Sequence, residues 1–160
     1  MDPIREFRIT RRNLPHWQDP GSVYFVTWRV ERGRSLSDSD RTIVMEAILH
    51  WHKKKWFVYA AVVMPDHVHV LARMLAANER DAIDLGEGVG SVKKFSGRRS
   101  NAEQNRTGMA LWQDERYDRI QRDGSEFEDT WNYVRENPVK AGLVELAEQY
   151  LWLFEGGTAD

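Results

Sequence analysis

The β-branched and aromatic positions along the chain predict an antiparallel sheet. Residues 23–30, which read VYFVTWRV, are rich in side chains that favour strands. Two further β-rich runs, 56–64 and 67–74, are separated by Pro65 and Asp66 alone. Because these two residue types favour turns, the runs predict a tight hairpin. Shorter strands are expected at 109–113 and 117–121, the second after a turn.

Apolar residues at helical spacing predict three helices. The first is capped by Ser37 or Ser39 and runs to about Lys55, and the second covers about 85–99. The third has the clearest boundaries. Its start is predicted by Ser125 and Glu128, which fit the spacing of a capping box, and its end by Pro138, because the residue before a proline is driven out of helical geometry. The apolar stripe of this helix is Phe127, Trp131 and Val134.

The order of these elements predicts the fold class. Strand, helix, strand, strand, helix, strand, helix is typical of an α+β fold, namely a ferredoxin-like or RRM-like antiparallel sheet with helices packed on one face. Residues 1–160 have the length of a single domain. A basic N-terminal arm of about 1–20 would precede it. A C-terminal tail of about 139–160 would pack back on the body. The apolar residues expected to hold the tail are Leu143, Val144, Leu146, Leu151, Trp152 and Leu153.

Composition and charge narrow the chemistry. The chain has no cysteine, which excludes disulfides, zinc–thiolate sites and cysteine nucleophiles. It has no apolar run long enough to cross a bilayer and no apolar signal core at its N-terminus, so the expected location is the cytoplasm, away from membranes. The net charge of −2 provides no global attraction to nucleic acid. Local patches could neutralise phosphates or form ordinary solvated faces. They are Arg5, Arg8, Arg11 and Arg12, and then Lys93, Lys94, Arg98, Arg99 and Arg106.

Two histidines at the start of a predicted strand form a candidate metal site. Side chains alternate across a strand, so His67 and His69 share one face while Val68 and Val70 face the core under the helices. Two imidazoles on one face can bind one metal ion. The pattern alone is also what two polar residues on a solvated face would give, because His-x-His occurs often by chance.

A tyrosine and an amide side chain project together from the third helix. On a helical wheel Tyr133 lies well over about 90° from the apolar stripe, and Asn137 follows one turn later on the same face. A surface tyrosine and a helix-ending asparagine would give the same pattern. Tyr117 competes with Tyr133, since Gln121 follows it by the same spacing. If that segment is extended, however, Tyr117 and Gln121 lie about 13 Å apart.

Taken together, these segments resemble a known family. Residues 62–71, which read VVMPDHVHVL, resemble the His-hydrophobic-His strand of the HUH single-tyrosine transposases. Residues 111–113 (LWQ) and 131–144 (WNYVRENPVKAGLV) resemble later blocks of its REP-associated branch, and the first strand also matches at 24–27. The resemblance spans nearly the whole chain in the right order.

This resemblance implies an HUH endonuclease architecture and a DNA transposase or single-strand endonuclease. Such an enzyme cleaves and rejoins single-stranded DNA that folds into hairpins, in DNA transposition or in the processing of REP elements. By this pattern His67 and His69 bind a divalent cation, Mg²⁺ or Mn²⁺. Tyr133 attacks a phosphodiester and forms a 5′-phosphotyrosine link, and Asn137 completes the metal site. The chain would act as a monomer or a homodimer. The expected DNA contacts are Arg11, Arg12, Lys93, Lys94, Arg98 and Arg99.

Departures and alternatives remain. Arg119 occupies a position where many relatives carry a histidine, and Asn137 is shorter than the glutamine of the wider family, although the REP-associated branch commonly has asparagine. A non-catalytic nucleic-acid-binding module on the same fold would stack bases on exposed aromatic side chains. A metal-dependent hydrolase would use water as the nucleophile and leave Tyr133 a structural role.

Overall fold

Six strands of the described residues form one sheet, which is antiparallel at every pairing described. A computed structural model describes residues 8–10, for the backbone alone, and residues 22–75 and 84–157. The strands are β1 (Arg8–Thr10), β2 (Val23–Val30), β3 (Trp56–Val63), β4 (His67–Met74), β5 (Trp112–Ile120) and β6 (Leu153–Glu155). The helices are α1 (Asp38–His50), α2 (Leu85–Glu103), α3 (Gly124–Lys140) and a short 3-10 helix (Ala147–Gln149). The strand order is β1-β5-β2-β4-β3-β6.

Each face of the sheet has its own hydrophobic core. The larger core lies under α1 and α2 and includes Val68 and Val70, as the alternation along β4 predicts. The second core lies on the opposite face, where Val134 of α3 meets Leu71 and Val62. The predicted α+β fold with an antiparallel sheet is thus confirmed. Contrary to the prediction from the sequence, the helices do not all pack on one face. The apolar stripe of α3 is buried against apolar residues of the face that carries the two histidines, opposite α1 and α2.

The predicted hairpin is present, and the last part of the sheet is simpler than expected. β3 and β4 pair up to Val63 and Val68, and Pro65 and Asp66 lie in the turn. The two short strands predicted at 109–113 and 117–121 are one continuous strand, β5. Its polar sequence gives a weak strand signal. Pairing with β2 along its length and with β1 at its middle supplies the hydrogen bonds that keep it extended.

The ends of α1 and α3 differ from the predicted ones. α1 ends at His50, and Lys53 in the following turn has a positive φ of 67° that no helix continues through. The predicted capping box at Ser125 is wrong, because the side chain of Asp123 caps α3 by accepting from the amide of Glu126. Pro138 lies inside α3, which continues to Lys140. The missing N–H of Pro138 removes one hydrogen bond, while burial of its ring compensates.

The C-terminal segment returns to the sheet through fewer residues than predicted. Tyr150 is buried, and its hydroxyl donates to the carbonyl of Val63 over 2.6 Å. Trp152 and Leu153 are half-buried beside β3. Three leucines expected to pack instead face solvent, at 45%, 60% and 81% exposure for Leu143, Leu146 and Leu151. None of the helices in the described part of the chain combines the length and the apolarity that a bilayer crossing requires.

Candidate active site

The two histidines of β4 lie side by side on the face covered by α3. Their ring centroids are 4.7 Å apart. The register places His69 opposite Thr27 of β2 and His67 opposite Arg29. His69 is only 4% exposed, so this part of the sheet is not a solvated face. The stripe that anchors α3 brings the helix down over His69.

The surroundings of His69 keep its imidazole neutral. Its Nδ1 lies 2.6 Å from Oγ1 of Thr27, and the ring of Phe25 stacks on it at 5.2 Å between centroids. Burial, followed by electrostatic interactions with His67 and Arg29, lowers the pKa of His69 to about 3. Its Nε2 is buried and has no hydrogen-bond partner among the described residues. A neutral ring with one unoccupied nitrogen is the form of histidine that binds metals.

His67 is held by a different kind of partner. Its Nδ1 lies 2.6 Å from a carboxylate oxygen of Asp66 in the hairpin turn. An ionised carboxylate can only accept, so this contact requires the proton on Nδ1 of His67 and directs Nε2 away from Asp66. A carboxylate behind an imidazole is a common support for a histidine that binds a metal.

Tyr133 reaches the histidines from α3. Its ring centroid is 5.4 Å from that of His69 and 6.0 Å from that of Phe25. The residue is 44% exposed, so α3 does not bury it completely. The ammonium of Lys140, two turns later, lies 5.7 Å from the ring. The structure therefore brings together His67, His69 and Tyr133, three residues proposed from separate sequence patterns.

The position of Asn137 does not test its predicted role as a metal ligand. It lies one turn after Tyr133 on α3 and is half-buried. The hydrogen bond described for it is made by its backbone carbonyl, which accepts from the amide of Ala141 over 3.0 Å. Its assignment as a metal ligand stays a prediction.

A cavity of about 790 Å³ opens beside these residues, between β5 and the first turns of α3. Its floor follows the cross-strand register, with Tyr117 opposite Thr27 and Arg119 opposite Phe25. Glu126 of α3 contacts Arg119 and Arg122, each over 2.8 Å. No local pattern indicates that Phe25 and Thr27 belong to this site, because the β2–β4 pairing that brings them to His69 joins distant segments. Glu126 joins the site through its ion pairs with Arg119 and Arg122, which a local pattern does not indicate either. The lining includes Phe25, Thr27, His69, Tyr117, Arg119 and Tyr133.

Comparisons with known proteins agree with this geometry. The family model described as transposase, IS200-like, matches residues 21–137, which include the two histidines, Tyr133 and Asn137. The chain belongs to the IS200-like transposase family. It is therefore a DNA transposase, and the resemblance seen in the sequence is confirmed.

The solved structures extend this result to the fold. A structure of a REP-associated tyrosine transposase bound to a REP hairpin matches with a TM-score of 0.69. The match covers 88% of this chain and 81% of that one at 19% identity. At this identity the likeness shows a shared fold. A comparison with curated proteins gives no match.

The basic residues expected to contact DNA are placed differently from one another in this transposase. Arg11 and Arg12 lie outside the described residues. Lys93 is largely buried and donates to the carbonyls of Gln113 and Glu115, over 2.8 and 3.4 Å. Burial, followed by the charge of Arg116, lowers the pKa of Lys93 to about 8.

The other three basic residues of α2 are exposed, on the face of the sheet opposite Tyr133. Arg99 pairs with Glu46 and Glu103. Lys94 and Arg98, one turn apart, line a groove of about 1120 Å³ between α2 and β5. Of the predicted α2 contacts, these two are the best placed to meet phosphates.

The buried imidazole of His69 predicts acid sensitivity. An unfolded histidine has a pKa of about 6.5, whereas folded His69 has a pKa of about 3. Between these two pH values the unfolded state binds a proton that folded His69 does not bind. Stability should thus fall as the pH drops through this window. Between pH 7 and pH 5, in EDTA, the wild type should lose about 2 kcal/mol of unfolding free energy more than His69→Asn, measured by urea titration. Equal losses in the two proteins would contradict the neutral, buried state of His69.

Proposed function

We propose that this transposase cleaves and rejoins single-stranded, hairpin-forming DNA through a covalent phosphotyrosine at Tyr133, with a divalent cation at His67 and His69. One observation carries the proposal. The ring of Tyr133 lies 5.4 Å from His69, whose buried Nε2 has no partner among the residues described. The proposed nucleophile and one of the proposed metal ligands therefore line the same cavity.

The chemistry follows from the tyrosine. A bond forms between Oη of Tyr133 and the phosphorus atom, the bond to the 3′ oxygen breaks, and the phenolic proton is balanced by the proton gained by the leaving hydroxyl. The 5′-phosphotyrosine conserves the phosphodiester, so the reverse attack by a 3′ hydroxyl rejoins DNA without ATP. A free phenol, with a pKa of about 10, is a weak nucleophile at neutral pH.

The residues around the histidines fit a divalent cation. His69 has a buried Nε2 with no hydrogen-bond partner in the described part of the chain, and His67 has the supporting carboxylate of Asp66. Asn137 is the proposed third ligand. When bound, the cation would polarise the scissile phosphate and neutralise charge that develops in the transition state. Imidazole ligands favour Mn²⁺ over Mg²⁺, so we expect both to support the reaction and Mn²⁺ to bind more tightly.

The cavity supports a single-stranded substrate. Tyr117 and Tyr133 provide rings on which bases can stack, and Arg29 provides positive charge for a phosphate. Arg119 and Arg122 also line the cavity, where they are paired with Glu126. The matching structure is of a protein bound to a REP hairpin, which supports hairpin DNA as the substrate here. Because His69 and Tyr133 of the same chain are adjacent, a monomer can hold both groups.

A denaturing gel tests the proposal. The protein is incubated with Mn²⁺ and end-labelled single-stranded hairpin DNA taken from beside its own gene. We expect a slowly migrating band of covalent protein–DNA adduct. Tight binding with neither cleavage nor adduct would favour a non-catalytic binding module. Cleavage without an adduct would favour hydrolysis by water.

The groove along α2 predicts a salt-dependent contribution to DNA binding. Removing the two charges in Lys94→Ala/Arg98→Ala should weaken hairpin binding and lower the slope of log K against log salt by about 1 to 2. Fluorescence anisotropy at several salt concentrations measures this slope. Lys54→Ala, an exposed lysine in the turn after α1, is the matched control and should leave the slope unchanged. An unchanged slope in the double variant would remove α2 from the DNA interface.

A further inference from the structure

Thr27 and His69 form a buried pair across two neighbouring strands. They are Cα partners in the β2–β4 register, and they are 6% and 4% exposed. Oγ1 of Thr27 lies 2.6 Å from Nδ1 of His69, a short hydrogen bond. Phe25 lies two residues before Thr27 on the same face of β2. Its ring stacks on the imidazole of His69, with 5.2 Å between the ring centroids. The ring is therefore fixed in position by β2 and not by its own strand alone.

This contact determines which nitrogen can serve as a ligand. Nδ1 is occupied by Thr27, so Nε2 is the nitrogen that remains. A neutral imidazole carries one proton, and a hydroxyl can either donate or accept, so both tautomers are compatible with the hydrogen bond itself. With the proton on Nε2, the ring would bury an N–H that has no acceptor in the described structure, which is a rare arrangement. With the proton on Nδ1, the ring donates to Thr27, and Nε2 keeps its lone pair.

We propose that Thr27 is a positioning residue for His69. The hydroxyl of Thr27 holds the proton of the imidazole on Nδ1, so that the Nε2 lone pair of His69 is presented to a divalent cation. This inference rests on the proposed function. It adds a residue that belongs neither to the pair His67 and His69 nor to the pair Tyr133 and Asn137. Thr27 does for the buried histidine what Asp66 does for the more exposed His67. The two ligands are thus supported by different groups, one neutral and one charged.

Two substitutions separate the hydroxyl from the packing of Thr27. Thr27→Val keeps the shape and removes the hydroxyl, whereas Thr27→Ser keeps the hydroxyl and removes a methyl group. Both are made in the full chain and compared with the wild type. Long-range ¹H–¹⁵N spectra of the metal-free, ¹⁵N-histidine-labelled proteins report the tautomer of each imidazole directly. The signals of His69 are assigned by their loss in His69→Asn, and those of His67 serve as an internal control for the fold.

The expected results are specific. In the wild type and in Thr27→Ser, His69 should carry its proton on Nδ1. In Thr27→Val it should shift towards the other tautomer, and the affinity for Mn²⁺, measured by calorimetry, should fall about 10- to 100-fold, in the range found for the supporting partners of metal ligands. Thr27→Ser should restore most of that affinity. The signals of His67 should stay unchanged in all three proteins.

Other outcomes would overturn the inference or the function beneath it, and they are distinguishable. A proton on Nε2 in the wild type, or an unchanged tautomer and Mn²⁺ affinity in Thr27→Val, would overturn the role of Thr27. Equal loss in Thr27→Ser and Thr27→Val would assign the effect to packing and overturn it as well. A wild type with the proton on Nδ1 that binds no Mn²⁺ would instead overturn the proposed metal dependence, while the tautomer would stand on its spectrum.

Discussion

Replacement of Tyr133 by phenylalanine should abolish the covalent adduct and lower strand cleavage by at least about 10³-fold, as expected for the loss of a covalent nucleophile. The substitution removes one oxygen atom. The ring keeps its contacts with His69 and Phe25, so α3 should stay in place and hairpin binding should be unchanged. Adduct formation on a denaturing gel and affinity by anisotropy measure the two effects separately.

Tyr117→Phe is the matched control for this experiment. Tyr117 lines the same cavity, yet β2 separates it from β4, which places its Cα about 10 Å from that of His69. The variant should form the adduct as the wild type does. Loss of the adduct in Tyr117→Phe and its persistence in Tyr133→Phe would mean that Tyr117 is the nucleophile. Cleavage that survives in both variants would identify water as the nucleophile.

His69→Asn should cause the second large loss. The amide of asparagine can replace Nδ1 as the partner of Thr27, but it has no atom in place of Nε2. We therefore expect Mn²⁺-dependent cleavage to fall at least about 10²-fold. The variant would lose one ligand of the cation, and the cation would stabilise the transition state of the reaction. Hairpin binding should change by less than about 2-fold, since His69 is 4% exposed and contributes no charge.

Comparison with His50→Asn controls for the removal of an imidazole. His50 is exposed at the end of α1, on the opposite face of the sheet from Tyr133, and its loss should leave cleavage unchanged. EDTA should stop the wild-type reaction, and added Mn²⁺ should restore it. Full cleavage by His69→Asn, or wild-type cleavage that persists in EDTA, would show that the reaction does not depend on a cation at this histidine.

The local parts of the site could be predicted because each depends on a short stretch of chain. The shared face of His67 and His69 follows from the alternation of side chains along one strand. The turn at Pro65 and Asp66 follows from local conformational preference. The position of Tyr133 away from the apolar stripe of α3 follows from 3.6 residues per turn. All three features were confirmed by the structure.

Errors in the prediction came from signals that are local but ambiguous. Ser125 and Glu128 have the spacing of a capping box, yet Asp123 caps α3 two residues earlier. Pro138 is buried within the helix it was expected to end. Both signals are local preferences, which the context of the folded chain can override.

The sequence by itself determined the family, the fold class, and which side chains of each element could carry the chemistry. Tertiary structure alone decided that α3 covers the histidine face, that Tyr133 contacts the ring of His69, and that Thr27 is the partner of its Nδ1. The physical reason is distance along the chain. Strand and helix periodicity is set by backbone geometry within a few residues, whereas the β2–β4 register joins Thr27 to His69 across 42 positions and depends on the burial of the whole sheet.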